Sequence, residues 1–290
     1  AYELMPSLVG SEMCIRDSHP FVPPRPYDSM YDPASVVMPA LGPEALADKP
    51  ETYLRAYRGG ELWEGIDPND RLCDITEPQL REIIARTYGM VSLIDENIGK
   101  LLDALEETHL AESTIVIFTS DHGDLMGDCG LLYKGPFLLE GLIRVPMLWR
   151  VPGAPAGVRN NTLFSSCDIA PTILALLGLE VSAAMDGLAQ VELVRGGRGL
   201  REAAFVEFKS MYRPELNLRT VVTADAKLTF YAGLEMGELY DMSGRTSSPP
   251  EARNLYHDPA WAGRRAELEH KLLEEAILSH DKRRVPSCHA

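Results

Sequence analysis

The sequence predicts an α/β domain followed by a small antiparallel sheet carrying one helix. Three observations predict it. A long amphipathic helix runs by a short turn into an unbroken apolar strand. A second strand is followed by a helix opened by Asp168 and Pro171. Beyond residue 203, short strands follow one another closely and end in a last amphipathic helix. The chain has 290 residues and is 45% hydrophobic, enough to bury a sizeable core.

Residues 1–18 (AYELMPSLVGSEMCIRDS) show neither helical nor strand period and are expected to be a non-native, adaptor-like leader. The stretch that follows is dense in proline and aromatic residues, which suits an extended segment laid over a domain. Thr76, Glu77 and Pro78 supply a cap, an acidic first turn and a proline at a position that needs no N–H. A helix is predicted from there to about residue 107, with Leu80, Ile83, Ile84, Tyr88, Val91, Ile94, Ile98, Leu101, Leu102 and Leu105 on one apolar face. Thr114–Thr119 is β-branched and aromatic throughout, the pattern of a strand buried on both faces of a parallel sheet. Val145–Trp149 is a further strand, and a helix runs from Asp168 to Gly178. Strands are expected at Ala203–Phe208, Leu218–Thr223, Lys227–Tyr231 and Glu238–Met242, and a helix from Pro259 to about His280. The organisation is thus a leader (1–18), an α/β domain (19–209) and a C-terminal subdomain (210–290).

A net charge of −15 repels polyanions, so no electrostatic footprint for nucleic acid exists. No run of 18 apolar residues suggests a membrane span, and the first residues lack the plan of a secretory signal; cytoplasm and periplasm both suit the composition. The five cysteines, Cys14, Cys73, Cys129, Cys167 and Cys288, form no C-x-x-C pair and describe neither a disulfide framework nor a zinc cage.

The chemistry concentrates after the apolar strand, in SDHGDLMGDCGLLYKG. Ligands of open α/β sheets sit beyond strand ends, where Asp121 and His122 fall. A carboxylate next to an imidazole can supply two ligands to one divalent cation; the same pair also suits a turn cap beside a solvated histidine. Asp168 is expected to cap its helix, and Glu140 and Arg144 to form a structural pair or remain as solvated charges.

Several segments together resemble the sulfatase family of the alkaline-phosphatase-like superfamily: YGMVSLIDENIGKLLDALEE, TIVIFTSDHGD, GLLYKG, IRVPMLW, SSCDIAPTILALLGL, GELYDM and ARNLYHDPA. The resemblance covers the chain from about His19 onward and is nearest to the Asp-His branch, which includes phosphonate monoester hydrolases and choline-sulfatase-like enzymes. It implies an alkaline-phosphatase-like, mostly parallel sheet flanked by helices. It implies Asp121 and His122 as metal ligands, with Ca the commonest cation and Mn or Zn suited to a histidine ligand. It further implies that Lys134 contacts the transferred group and the leaving-group oxygen. In the family's P-H-x-P-F segment the histidine register falls on Ser18, leaving His19 in the variable position and only a weak candidate for a catalytic role.

Two departures qualify the resemblance. Many relatives carry histidine where Cys129 stands, and no C-x-P-S-R or S-x-P-S-R stretch, the source of the formylglycine nucleophile, occurs in the sequence. The expectation is therefore an N-terminally truncated sulfatase, inactive as written, with an exposed sheet edge that makes the isolated chain poorly soluble or oligomeric. The complete parent would hydrolyse small-molecule sulfate esters. Phosphonate monoester or phosphodiester hydrolysis shares every residue named, and a non-catalytic metal-binding or interaction scaffold is the reading from another class.

Overall fold

In the computed structural model, residues 21–59, 71–210, 216–244 and 251–283 are described. The elements are α1 (Glu51–Arg58), α2 (Glu77–Glu107), β1 (Val116–Thr119), α3 (Glu140–Ile143), β2 (Met147–Arg150), α4 (Ile169–Leu176), α5 (Val191–Val194), β3 (Ala204–Lys209), β4 (Asn217–Val222), β5 (Ala226–Tyr231), β6 (Glu238–Asp241) and α6 (Ala262–Arg283).

Helix α2 starts where its cap predicts: Gln79 Oε1 accepts the Thr76 N–H at 2.9 Å. Its buried residues are Ile84, Ala85, Gly89 and Met90, while Tyr88, Val91 and Leu101 of the predicted apolar face are exposed. The buried face is selected by the proline-rich segment, which packs against the N-terminal half of the helix. Gly89 permits this, because a Cβ there would stand 2.0 Å from the Tyr27 carbonyl oxygen. That segment is not simply extended. It forms short 3-10 turns at Tyr27–Ser29, Pro33–Ser35 and Pro43–Asp48 before entering α1, a helix that the apolar period did not announce.

The α/β class holds, but the pairing at β1 differs from the expectation of a parallel, doubly buried strand. Among the described residues β1 pairs with β2, antiparallel, with Phe118 opposite Leu148. Both side chains are exposed, at 36% and 59%. A continuous apolar run reports what a strand can bury, not which neighbour covers it. The remaining strands form the expected antiparallel sheet, a meander in the order β3-β4-β5-β6, and β3, on the N-terminal side of residue 209, is its edge strand. Against one face lies α6, which buries Leu268 and Leu272 among Val221, Leu228 and Leu239. A second core joins the sheet to the segment after β1: Leu218 and Tyr231 meet Leu125, Leu131, Phe137 and Tyr53. The C-terminal sheet is thereby built directly onto the loop that carries the candidate site. Among the described residues no helix is long and apolar enough to cross a membrane.

Candidate functional site

Strand β1 ends at Thr119, and the next turn sets the site. Ser120 Oγ donates to the His122 carbonyl at 2.7 Å, and Asp121 Oδ1 accepts the His122 N–H at 2.9 Å. The His122 ring then lies between two partners. Its Nδ1 is 2.7 Å from the Gly123 carbonyl oxygen, and its Nε2 is 2.9 Å from Lys134 Nζ. A carbonyl only accepts and an ammonium only donates, so the network assigns a neutral ring with the proton on Nδ1 and the lone pair on Nε2. Asp121 Oδ2 lies 3.6 Å from the same Nε2. Asp121, His122 and Lys134, predicted from the sequence, are thus brought together.

Backbone geometry holds this cluster. A Cβ on Gly123 would stand 1.9 Å from the Gly141 carbonyl oxygen, so the turn after β1 lies backbone against backbone on α3, with the Gly123 N–H donating to Leu142 at 2.8 Å. Between Asp121 and Lys134 the chain is strained: Met126, Cys129 and Tyr133 all have positive φ, at 47°, 55° and 64°. Asp124, which the sequence reading passed over, organises the loop, its Oδ1 accepting the N–H groups of Met126 at 3.1 Å and Tyr133 at 3.0 Å. Burial pushes the Asp124 carboxyl up, against the pull of those two N–H groups and of His122 and Lys134. The Met126 contact, two residues on, is the one local signal that would have found it; the Tyr133 contact spans nine positions and has no local mark. Phe21 stacks on Tyr133 at 5.8 Å, placing the first described residue beside the lysine loop.

Asp121, His122 and Lys134 line a cleft of about 1370 Å³ that Phe164, Phe205 and Phe208 also line. Cys129 is fully buried and burial pushes its thiol up to about 12, so it is a core residue and no nucleophile. His19 lies outside the described residues.

Asp168 does not cap α4 as expected: its side chain makes no bond to that helix's first N–H groups and is spent elsewhere. Fully buried, it accepts N–H bonds from Ser165 at 3.0 Å and Leu188 at 2.8 Å, is paired with Arg201, and receives Gln190 Nε2 at 3.3 Å. Burial pushes its carboxyl up, but the Arg201 guanidinium and the two N–H groups outweigh this and hold it below the ordinary carboxylate range. It is a structural knot tying the cleft wall at Ser165–Cys167 to the start of β3. Glu140 and Arg144 approach to 3.9 Å, the weak pair expected of them.

Among the described residues no group of three or more His, Cys, Asp or Glu gathers to enclose a cation. Asp121 fits one position of a cation shell and His122 Nε2 a second once its lone pair, engaged here by Lys134 Nζ, is released to the cation; the rest of such a shell is not supplied by the described residues.

The sulfatase family model matches residues 16–179, and the model for the N-sulphoglucosamine sulphohydrolase C-terminal region matches 127–277. The chain is 32% identical over 192 residues to the choline-sulfatase of Rhizobium meliloti, covering 64% of this chain and 35% of that protein. It is 29% identical to the multifunctional alkaline phosphatase superfamily protein PehA of Trinickia caryophylli, covering 92% and 55%. Its fold matches the phosphonate monoester hydrolase of Silicibacter pomeroyi with a TM-score of 0.79 at 25% identity, over 91% of this chain and 55% of that one. The corresponding Agrobacterium radiobacter enzyme matches with a TM-score of 0.76 at 30% identity. The chain spans between about a third and just over half the length of these relatives. Matched by the sulfatase family model over more than half of its length, the chain belongs to the sulfatase family.

Proposed function

We propose that this chain supplies the metal-side and leaving-group half of a sulfuric ester hydrolase site acting on small-molecule sulfate esters. The observation that carries the proposal is the convergence of Asp121, His122 Nε2 and Lys134 Nζ on one end of the cleft, within 2.9 and 3.6 Å of the same nitrogen. Sulfatases generally use a divalent cation and a formylglycine, the latter expected outside the residues named here. When bound, a cation would neutralise charge on the sulfate oxygens. Calcium suits the carboxylate, manganese or zinc the imidazole.

The chain's own groups divide the remaining work. Asp121 brings negative charge to the cation position, and His122 presents a fixed lone pair because Gly123 holds its proton on the other nitrogen. Lys134 places an ammonium where charge grows on the leaving oxygen and can deliver a proton to it as the ester bond breaks. Phe164, Phe205 and Phe208, which also line the cleft, offer apolar surface to the organic group.

The test is hydrolysis of an aryl sulfate by the protein carrying its complete family site, compared with Asp121→Ala and Lys134→Ala variants and with calcium content measured in each. Full activity and full metal content in Asp121→Ala would remove the assignment. A second reading, phosphonate monoester hydrolysis, is favoured by the two fold matches to phosphonate monoester hydrolases. Comparing kcat/KM for matched aryl sulfate and aryl phosphonate esters separates the two. Absence of both activities from the complete wild-type protein, with metal bound, would favour a non-catalytic scaffold.

A further inference from the structure

The C-terminal sheet reaches the candidate site through two buried charges. Lys227 on β5 is fully buried and Glu251 nearly so, and the two form an ion pair. A buried pair is costly unless the rest of its hydrogen-bonding capacity is used. Here that capacity is spent on the backbone between Lys134 and β2. Lys227 Nζ donates to the Leu138 carbonyl at 2.7 Å, and both carboxylate oxygens of Glu251 accept the Glu140 N–H at 3.1 Å. Lys49 fixes the pair from the other side, donating to the Glu251 carbonyl at 3.0 Å and to the Tyr240 hydroxyl at 2.9 Å.

From this anchor an unbroken series of hydrogen bonds leads to the imidazole. The Leu142 N–H donates to Leu139 at 2.9 Å, the Gly123 N–H to Leu142 at 2.8 Å, and His122 Nδ1 to Gly123 at 2.7 Å, leaving Nε2 for Lys134 at 2.9 Å. Apolar side chains would hold a sheet against a loop with less desolvation. They would not fix the direction of the Leu138 carbonyl and the Glu140 N–H, and those directions set where Gly123 lies.

We infer that Lys227 and Glu251 are positioning residues for the Asp121–His122–Lys134 cluster: they fix the backbone at 138–140 and, through Leu142 and Gly123, the tautomer and orientation of the His122 ring. The inference rests on the reading of that cluster as a cation and oxyanion site, yet the ring geometry can be measured without any ligand.

The experiment is two-bond ¹H–¹⁵N spectroscopy of the histidine rings in the whole chain, with His122 assigned by His122→Gln, together with a calcium titration of the protein carrying its complete family site. The test variant is the double change Lys227→Met with Glu251→Leu, which removes both charges and avoids the unpaired charge that either change alone would bury. In the wild type, His122 shows one protonated Nδ1 and one lone-pair Nε2. In the folded double variant we expect the averaged pattern of a free ring, and calcium affinity lower by about 10–100-fold. An unchanged His122 pattern in a variant that melts cooperatively would overturn the inference. Should the double variant not fold, Glu251→Gln is measured in its place, with the same two outcomes. A wild-type protein carrying its complete family site that binds no calcium would remove the functional reading and leave the ring measurement standing.

Discussion

Lys134 Nζ stands 2.9 Å from Nε2 of His122, a nitrogen left without a proton because Nδ1 is engaged 2.7 Å from the Gly123 carbonyl oxygen. Ammonium and imidazole lone pair share one end of the cleft, and the Asp121 carboxylate flanks both. In a protein with the complete site, Lys134→Ala should lower kcat about 10²–10³-fold for a substrate with a poor leaving group. The loss should shrink as the leaving group becomes more acidic, since such an oxygen needs less help. A leaving-group series with equal losses throughout would place Lys134 elsewhere in the reaction.

Arg201 and Asp168 are both largely removed from water, and among the described residues the carboxylate has no other cation within reach of its hydrogen bonds. Arg201→Met leaves that charge buried and unpaired and should cost about 3 kcal/mol or more in urea unfolding. The Asp168 carboxyl is held below its ordinary range, so its contribution to stability is present above about pH 4 and is lost as pH falls through the folded value. Asp168→Asn should therefore flatten the acid limb of the stability curve. A wild-type acid limb in that variant would contradict the assignment.

Asp128 behaves in the opposite sense. Burial, helped by the charge on Glu251, raises its carboxyl to about 6. The folded chain then holds a proton that the unfolded chain has already released, and stability falls as pH rises from about 4 to 6. Asp128→Asn imitates the protonated form, so it should gain about 1 kcal/mol at neutral pH, after allowance for partial solvent screening, and nothing at pH 4. Equal effects at both pH values in thermal melts would rule this out.

Gly123 and Gly99 make a paired test. A Cβ at Gly123 would strike the Gly141 carbonyl oxygen at 1.9 Å, whereas one at Gly99, within α2, meets nothing within 4 Å. Gly123→Ala should destabilise by about 2–3 kcal/mol and disturb the His122 ring. Gly99→Ala should stabilise by about 0.5–1 kcal/mol through helix propensity. The two changes should move the melting temperature in opposite directions.

Phe118 and Leu148 face solvent side by side across β1 and β2, and β1 has one paired neighbour among the described residues. The isolated chain is therefore expected to elute early in size exclusion, as an oligomer or aggregate. A sharp monomeric peak with a cooperative melt would contradict this.

Local signals in the sequence were sufficient for the elements with local causes. The Thr76 cap and the 3.6-residue period place α2, and alternating strands with tight turns place β4 to β6, because hydrogen bonds and side-chain contacts within a few residues decide both. The Asp121-His122 pair at the strand end was equally visible, and Lys134 was marked by the family resemblance. What the sequence left open is what depends on distant partners. Helix α1 is held by Tyr53, whose hydroxyl meets Glu238 across 185 positions, and no local period announces such a bond. The antiparallel partner of β1, the face of α2 that is covered, the Asp168–Arg201 knot across 33 positions and the Glu251–Glu140 contact across 111 were likewise decided only when the chain closed on itself. A buried charge carries no mark in sequence of the partner that will neutralise it. Its partner is set by which surfaces meet, and that is settled by packing over the whole fold.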